Sequence, residues 1–257
     1  MFKTIENGQI RLKPLLTTFN GQVLEEALTN QYGTFKTIEV LGRGLVEVDV
    51  LATDIPGRQG AYYRGARLKP RTLKVIALLT GKSAPDLRKQ FTSLNKLLNT
   101  GMGVLSFSDE PNQFYKAVFT SSSEPPERKD ESVIELTFIC LDPRKYSEEK
   151  TVLGNGIQYG GLYDSKPIVT VTLSTGGSEL RLLHVQKQKY VRIKQTLLAG
   201  TQVEFDMEKR TVKVNGRSVL ENLDMVNSRF FTLSPGTNTL TTNLAGAVQT
   251  KYKEVST

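Results

Sequence analysis

Apolar and polar positions alternate with period two along most of this chain, the spacing that places successive side chains on opposite faces of a strand. Val46-Glu47-Val48-Asp49-Val50-Leu51 reads this way, and so does Ile168-Val169-Thr170-Val171-Thr172-Leu173. In Ile134-Glu135-Leu136-Thr137-Phe138-Ile139-Cys140 the residues Ile134, Leu136, Phe138 and Cys140 share one face. The runs Gln202 to Met207 and Thr211 to Val214, with Glu208-Lys209-Arg210 between them, form a hairpin pattern, and Asn215-Gly216 supplies the next tight turn. Turn signals recur roughly every 8–12 residues through the second half, the spacing of a β-sandwich.

One segment breaks the alternation. Leu87, Phe91, Leu94 and Leu98 recur at offsets of four, three and four, one face of a 3.6-residue period, and predict a helix over 83–98. Ser83 caps its start, Pro85 sits in the first turn where its missing N–H costs nothing, and Asp86 completes a capping-box pattern. Asn99 and Gly101 stop it. Arg88, Lys89, Asn95 and Lys96 form a solvent-type face.

Two polar stretches punctuate the chain. Residues 121–131, Ser-Ser-Ser-Glu-Pro-Pro-Glu-Arg-Lys-Asp-Glu, suit a long hairpin loop. Residues 142–150 follow a good strand and precede the glycine-rich 154–161. That second stretch sets a domain boundary at about 146. At 257 residues the chain has room for two ordinary domains. The fold class is mainly β, with two domains: a β-rich domain with one α-helix over 1–146, and a β-sandwich over 147–257.

Composition narrows the chemistry. Apolar residues make up 38% and aromatics 8%, enough for packed cores. The net charge of +8 divides evenly, with 20 basic and 16 acidic residues in 1–146 and 14 and 10 in 147–257. This mild excess is not the concentrated basic face of a DNA reader. Tryptophan, a favoured platform for stacking on sugars, is absent. The opening Met1 to Gly8 has no apolar run after Lys3, unlike a signal peptide. The longest apolar run, Val75 to Leu79, is far below the ~20 residues of a membrane-spanning helix, so no membrane insertion is expected.

Candidate chemistry is sparse. His184 and Cys140 are the only residues of their types, which leaves no disulfide framework, zinc finger or CxxC pair within the chain. A reducing compartment with Cys140 as a thiol fits this usage. A nucleophilic triad would have to use His184, which lies in a strand-like run without a GxSxG elbow. Asp109 and Glu110 are adjacent before Pro111, and neighbouring strand residues point to opposite faces, so the pair reads as the start of a turn. No phosphate loop, dinucleotide fingerprint or EF-hand appears. No catalytic residue, cofactor or metal is expected.

The densest basic cluster is Arg58, Arg64, Arg67, Lys69, Arg71 and Lys74, with Tyr62 and Tyr63 among them. This composition serves a solvated hairpin, an inter-subunit contact or a nucleic-acid-facing surface. The candidate subunit-interface residues are Arg58, Tyr62, Tyr63, Arg64, Arg67 and Arg71.

Three local patterns together carry a family resemblance. The first is the helix ending Leu94-Asn95-Lys96-Leu97-Leu98, followed by Val104-Leu105-Ser106-Phe107-Ser108-Asp109-Glu110-Pro111 and Tyr115. The second is the strand running into Leu141-Asp142-Pro143-Arg144-Lys145-Tyr146. The third is Gly200 to Asp206, Val212-Lys213-Val214-Asn215-Gly216, then Phe230 to Asn238. In order and spacing the chain resembles the distal tail protein (Dit) family of long-tailed, non-contractile bacteriophages and related prophages, over most of its length. The resemblance implies an N-terminal β domain that forms homo-hexameric rings and a C-terminal galectin-like β-sandwich. It implies a baseplate hub at the virion tail tip, assembled in the host cytoplasm. The ring would lie between the tail tube protein and the tail fibre or tail-associated lysin, with receptor-binding proteins as further partners and DNA passing through its lumen without specific binding. The carbohydrate-binding insertions of longer relatives have no room here, so the sandwich reads as a docking module. A lectin-like, carbohydrate-binding module for host-surface adsorption is the alternative reading.

Overall fold

A computed structural model describes residues 2–6, 9–123 and 130–257 of the chain. The middle of the loop expected over 121–131 lies outside the described residues, as do Met1, Asn7 and Gly8 of the opening segment. The chain divides into two compact units, 1–145 and 146–256.

The first unit is an antiparallel sheet with one long helix. Its strands run in the order Gly33–Leu41, Arg71–Gly81, Glu131–Cys140, Gln113–Ser122, Met102–Phe107, Thr17–Phe19 and Gln22–Val23. Period-two alternation decides which face is buried. Leu73, Val75, Ala77 and Leu79 of one strand and Ile134, Leu136, Phe138 and Cys140 of the next point into one core. Phe19 and Phe119 meet Phe138 there, ring centroids 5.4 and 5.7 Å apart.

The helix Ala84–Leu98 packs on Arg71–Gly81, with Ser83 as N-cap. The backbone N–H of Asp86 donates to Ser83 Oγ at 3.3 Å. Gly81 lets the helix start lie against the strand, because a Cβ there would sit 2.4 Å from Leu87 N. Leu87, Leu94 and Leu98 are buried as predicted, but Phe91 is only partly buried. Gln90 holds the fully buried place beside it, where its amide donates to Leu28 O at 3.0 Å and Asn30 Oδ1 at 3.1 Å.

Beside the expected helix the unit holds a one-turn helix, Leu24–Ala27, that periodicity did not single out. Its Glu25 carboxylate accepts from the backbone N–H of Thr17 at 3.0 Å and of Thr37 at 3.2 Å. The Thr17 and Thr37 hydroxyls meet at 2.7 Å. Side chains thus join the strands Thr17–Phe19 and Gly33–Leu41, which no ladder pairs.

The second unit is a sandwich. One sheet runs Gly156–Tyr159, Gly236–Thr242, Leu180–His184, Lys189–Ile193. The other runs Arg217–Ser218, Thr211–Val214, Gln202–Asp206, Ile168–Leu173, Gly246–Ser256, Lys145–Leu153. Inward residues of both sheets, among them Leu182, Val191, Leu240, Val171, Phe205 and Val248, form one core. Asn215 (φ 47°) and Gly216 (φ 82°) make the predicted tight turn. From Lys145 on, the polar run read as a boundary is strand: Lys150 pairs with Glu254 at 2.7 Å and Glu149 with Lys251 at 3.7 Å, so these charges belong to a solvated strand face.

Candidate assembly interface

Among the described residues, Val48–Asp54 and Ala61–Leu68 pair only with each other, as a hairpin. Its register sorts the side chains. Val48, Val50, Ala52, Asp54, Ala61, Tyr63, Ala66 and Leu68 fall on one side, and Asp49, Leu51, Thr53, Tyr62 and Arg67 on the other. Arg64 is the extra residue of a bulge between the two halves of the ladder. Apart from Asp54 at the tip end, the first side is apolar, yet Val50 is 60% and Tyr63 63% exposed, and Val48 is open to solvent too. On the second side Arg67 meets Asp49 at 2.8 Å. Leu45 and Ile55, before and beyond the first strand, are also exposed.

The hairpin is fixed at its root. Arg43, ahead of it, makes a two-pronged pair with Asp109 at 2.6 and 2.7 Å. That hydrogen-bonded pair raises the Arg43 pKa against the opposing effect of burial. Glu110 accepts from Tyr115 Oη at 2.9 Å and from Lys145 Nζ at 2.5 Å, and lies 3.7 Å from Arg43. Asp109 and Glu110 therefore converge on one cation. The turn expected at Asp109-Glu110 is present over 108–112, and strand alternation does not separate the two side chains within it.

Arg58, Tyr62, Tyr63, Arg64 and Arg67 lie together on the exposed hairpin and its tip. Arg71 does not, and its place among the interface candidates is corrected. It begins a core strand, is 5% exposed, and lies over the Tyr115 ring at 5.6 Å. Its Nη1 donates to Arg43 O at 3.2 Å, so it ties the far end of the hairpin to the same root. The apolar side of the hairpin was not singled out by sequence reasoning. Its only signal was the alternation of Val46 to Leu51, which marks a covered face without saying what covers it.

The two lone chemical residues lie in different units. Burial in the first core pushes the Cys140 thiol up to about 11. His184 is buried in the sandwich against Phe231, ring centroids 5.2 Å apart. Its Nδ1 accepts from Lys187 N at 3.3 Å, which leaves Nε2–H to donate to Asn238 Oδ1 at 3.0 Å. Desolvation lowers its pKa. Both nitrogens of the neutral ring are thus satisfied by the fold.

Comparison with known proteins bears on the whole chain. Residues 32–140 match the family described as phage tail protein, RIFT-related domain, and residues 160–255 match the siphovirus-type tail component, C-terminal domain. The distal tail protein of Bacillus phage SPP1 is 28% identical over 214 residues, which cover 80% of this chain and 84% of that protein. The crystal structure of SPP1 Dit, described as a paradigm of hub adsorption apparatus in phages infecting Gram-positive hosts, superposes with a TM-score of 0.82 at 21% identity, over 95% of this chain and 99% of that one. A chain of the phage P2 baseplate, in its activated conformation with calcium, shares the fold more distantly, with a TM-score of 0.53 at 10% identity, over 93% of this chain and 98% of that one. With two tail-protein families matched in tandem and a distal tail protein related along most of its length, the chain belongs to the siphovirus distal tail protein family, structural components of the phage tail.

Proposed function

We propose that the chain is a non-catalytic baseplate hub that assembles as a homo-hexameric ring at the virion tail tip. The ring joins the tail tube to the tail fibre or tail-associated lysin, and DNA passes through its lumen without specific binding. Assembly takes place in the host cytoplasm, and receptor-binding proteins are further partners.

The observation that carries this reading is the exposed apolar side of the hairpin formed by Val48–Asp54 and Ala61–Leu68. A two-stranded ribbon is marginal in water without a covering surface. Exposed apolar patches of this kind mark interaction sites. A projecting arm that meets a different patch on the next copy makes a head-to-tail contact, the type that closes into rings. The number six comes from the family resemblance.

Electron microscopy of the purified full chain, alone and with the tail tube protein and lysin, tests the reading. Closed six-membered rings with an open centre are expected. Protein that forms no ring under either condition would overturn it.

A further inference from the structure

In the second unit, the segment after the short 3-10 turn Leu220–Asn222 runs along the outer edge of the strand Lys189–Ile193 and occupies its backbone groups. Lys194 N donates to Asn222 O at 2.8 Å, Asp224 N to Arg192 O at 2.9 Å, and Arg229 N to Tyr190 O at 2.7 Å. Covering an edge in this way removes a site for unwanted strand pairing. Between Asp224 and Ser228 the chain leaves the edge in a tight turn, and the side chains at its tip are Met225, 66% exposed, and Val226, 79% exposed.

The turn is held from several directions. Ser228 N donates to Asp224 O at 2.8 Å. The Asp224 carboxylate accepts from Arg192 Nε at 3.0 Å and from the Asn227 side-chain amide at 3.1 Å, and lies 3.2 Å from Lys194 Nζ. Arg229 Nη1 donates to Val226 O at 2.9 Å. Two large apolar side chains are therefore presented to water on a backbone that is already fixed. Preorganisation of this kind lowers the ordering cost of binding, and methionine is enriched at interface centres. The rim carries an exposed cation in Arg229, whereas Arg192 and Lys194 both meet the Asp224 carboxylate and Arg192 also lies 3.7 Å from Glu179.

We infer that the turn 224–228 is a docking tip for another protein of the tail assembly, one that offers an apolar pocket with a carboxylate at its rim. The apolar pair supplies the anchor, and Arg229 selects the partner by charge complementarity. The partner's membership of the tail rests on the proposed hub function. The contact itself is separate from the ring, because the tip lies in the sandwich and not on the hairpin.

Photo-crosslinking in purified tails tests it, with Val226→p-benzoylphenylalanine in the full chain. Crosslinks into a different tail protein are expected, on a peptide with apolar residues beside Asp or Glu, and Arg229→Glu should reduce their yield on the order of tenfold. Lys209→p-benzoylphenylalanine, on another exposed turn of the unit, should not label that peptide. Crosslinks to a second copy of this chain, to a peptide without carboxylates, or to nothing in tails that contain the chain would overturn the inference. Met225→Asp with Val226→Asp should leave the melting midpoint and ring mass of the purified protein unchanged. Loss of rings in that variant would make the tip a ring contact and also overturn it, whereas absence of rings in the wild type bears on the hub reading.

Discussion

Asp49 and Arg67 face each other at 2.8 Å across the hairpin, on the side opposite Val48 and Val50. Arg67 is 72% exposed, so the pair is solvated and contributes at most about 1 kcal/mol. The charged side of the arm is therefore a weak determinant of its fold. Asp49→Asn with Arg67→Gln is expected to change stability by less than about 1 kcal/mol in a urea titration. A larger loss would show that the ion pair, and not a covering surface, holds the ribbon together.

Arg71 behaves differently from its neighbours in sequence. Its Nε and Nη2 are buried without a hydrogen-bond partner, while the ring of Tyr115 lies beneath the guanidinium. Arg71→Glu would bury a carboxylate in that place and is expected to cost about 3–5 kcal/mol. Arg71→Met keeps the volume and removes the desolvated charge, and should stay within about 1.5 kcal/mol of wild type. Equal tolerance of both variants in chemical denaturation would contradict the burial. Arg71 is consequently unsuited to charge-reversal tests of assembly, whereas Arg64 and Arg67 remain suited.

The helix offers a graded test. Leu94 is buried, and Leu94→Ala is expected to cost about 2–5 kcal/mol. Phe91 is only partly covered, so Phe91→Ala should cost less than the 3–5 kcal/mol typical of a fully buried ring. Ser83→Ala removes the cap and should cost about 1 kcal/mol. The order of the three in a denaturant series checks the packing. Phe91→Ala exceeding Leu94→Ala would reverse the assignment of the buried stripe.

His184 gives the sandwich an acid-sensitive term. Burial lowers its folded pKa below the ordinary 6.5, so the unfolded chain takes up the proton first as pH falls. Its contribution is complete above about pH 6.5 and is lost as pH falls through the lowered folded value. The protonated ring would also lose its acceptor for Lys187 N and gain a positive neighbour in the Lys187 ammonium, with the Asp164 carboxylate 2.9 Å from that ammonium as partial compensation. His184→Gln should flatten the fall in melting midpoint just below pH 6.5. Parallel profiles for the two proteins would contradict the assignment.

Strand alternation and helix periodicity made the fold class legible, because they record which residues are covered. They do not record the cover. The alternation of Val46 to Leu51 is the same pattern as that of Ile134 to Cys140, yet one faces solvent in this chain and the other a core. Gln90 was invisible for a related reason: an apolar stripe cannot reveal an amide placed to satisfy the carbonyl of Leu28, 62 residues away. Asp109 and Glu110 were legible as a turn, but not as joint partners of Arg43, which lies 66 residues from Asp109 in sequence. Arg71 was grouped with exposed arginines by proximity in sequence, although two residues on, Leu73 begins the buried alternation of the same strand.

Particle mass in solution, measured by light scattering over a range of protein concentrations, tests the hub most directly. The wild-type chain of 28.6 kDa should approach six times that mass as concentration rises. Val48→Asp with Val50→Asp should remain at the mass of one chain with an unchanged melting profile, because only the apolar side of the arm is altered. A wild-type chain that keeps the mass of one copy at every concentration, alone and with the tail tube protein and lysin, would contradict the account.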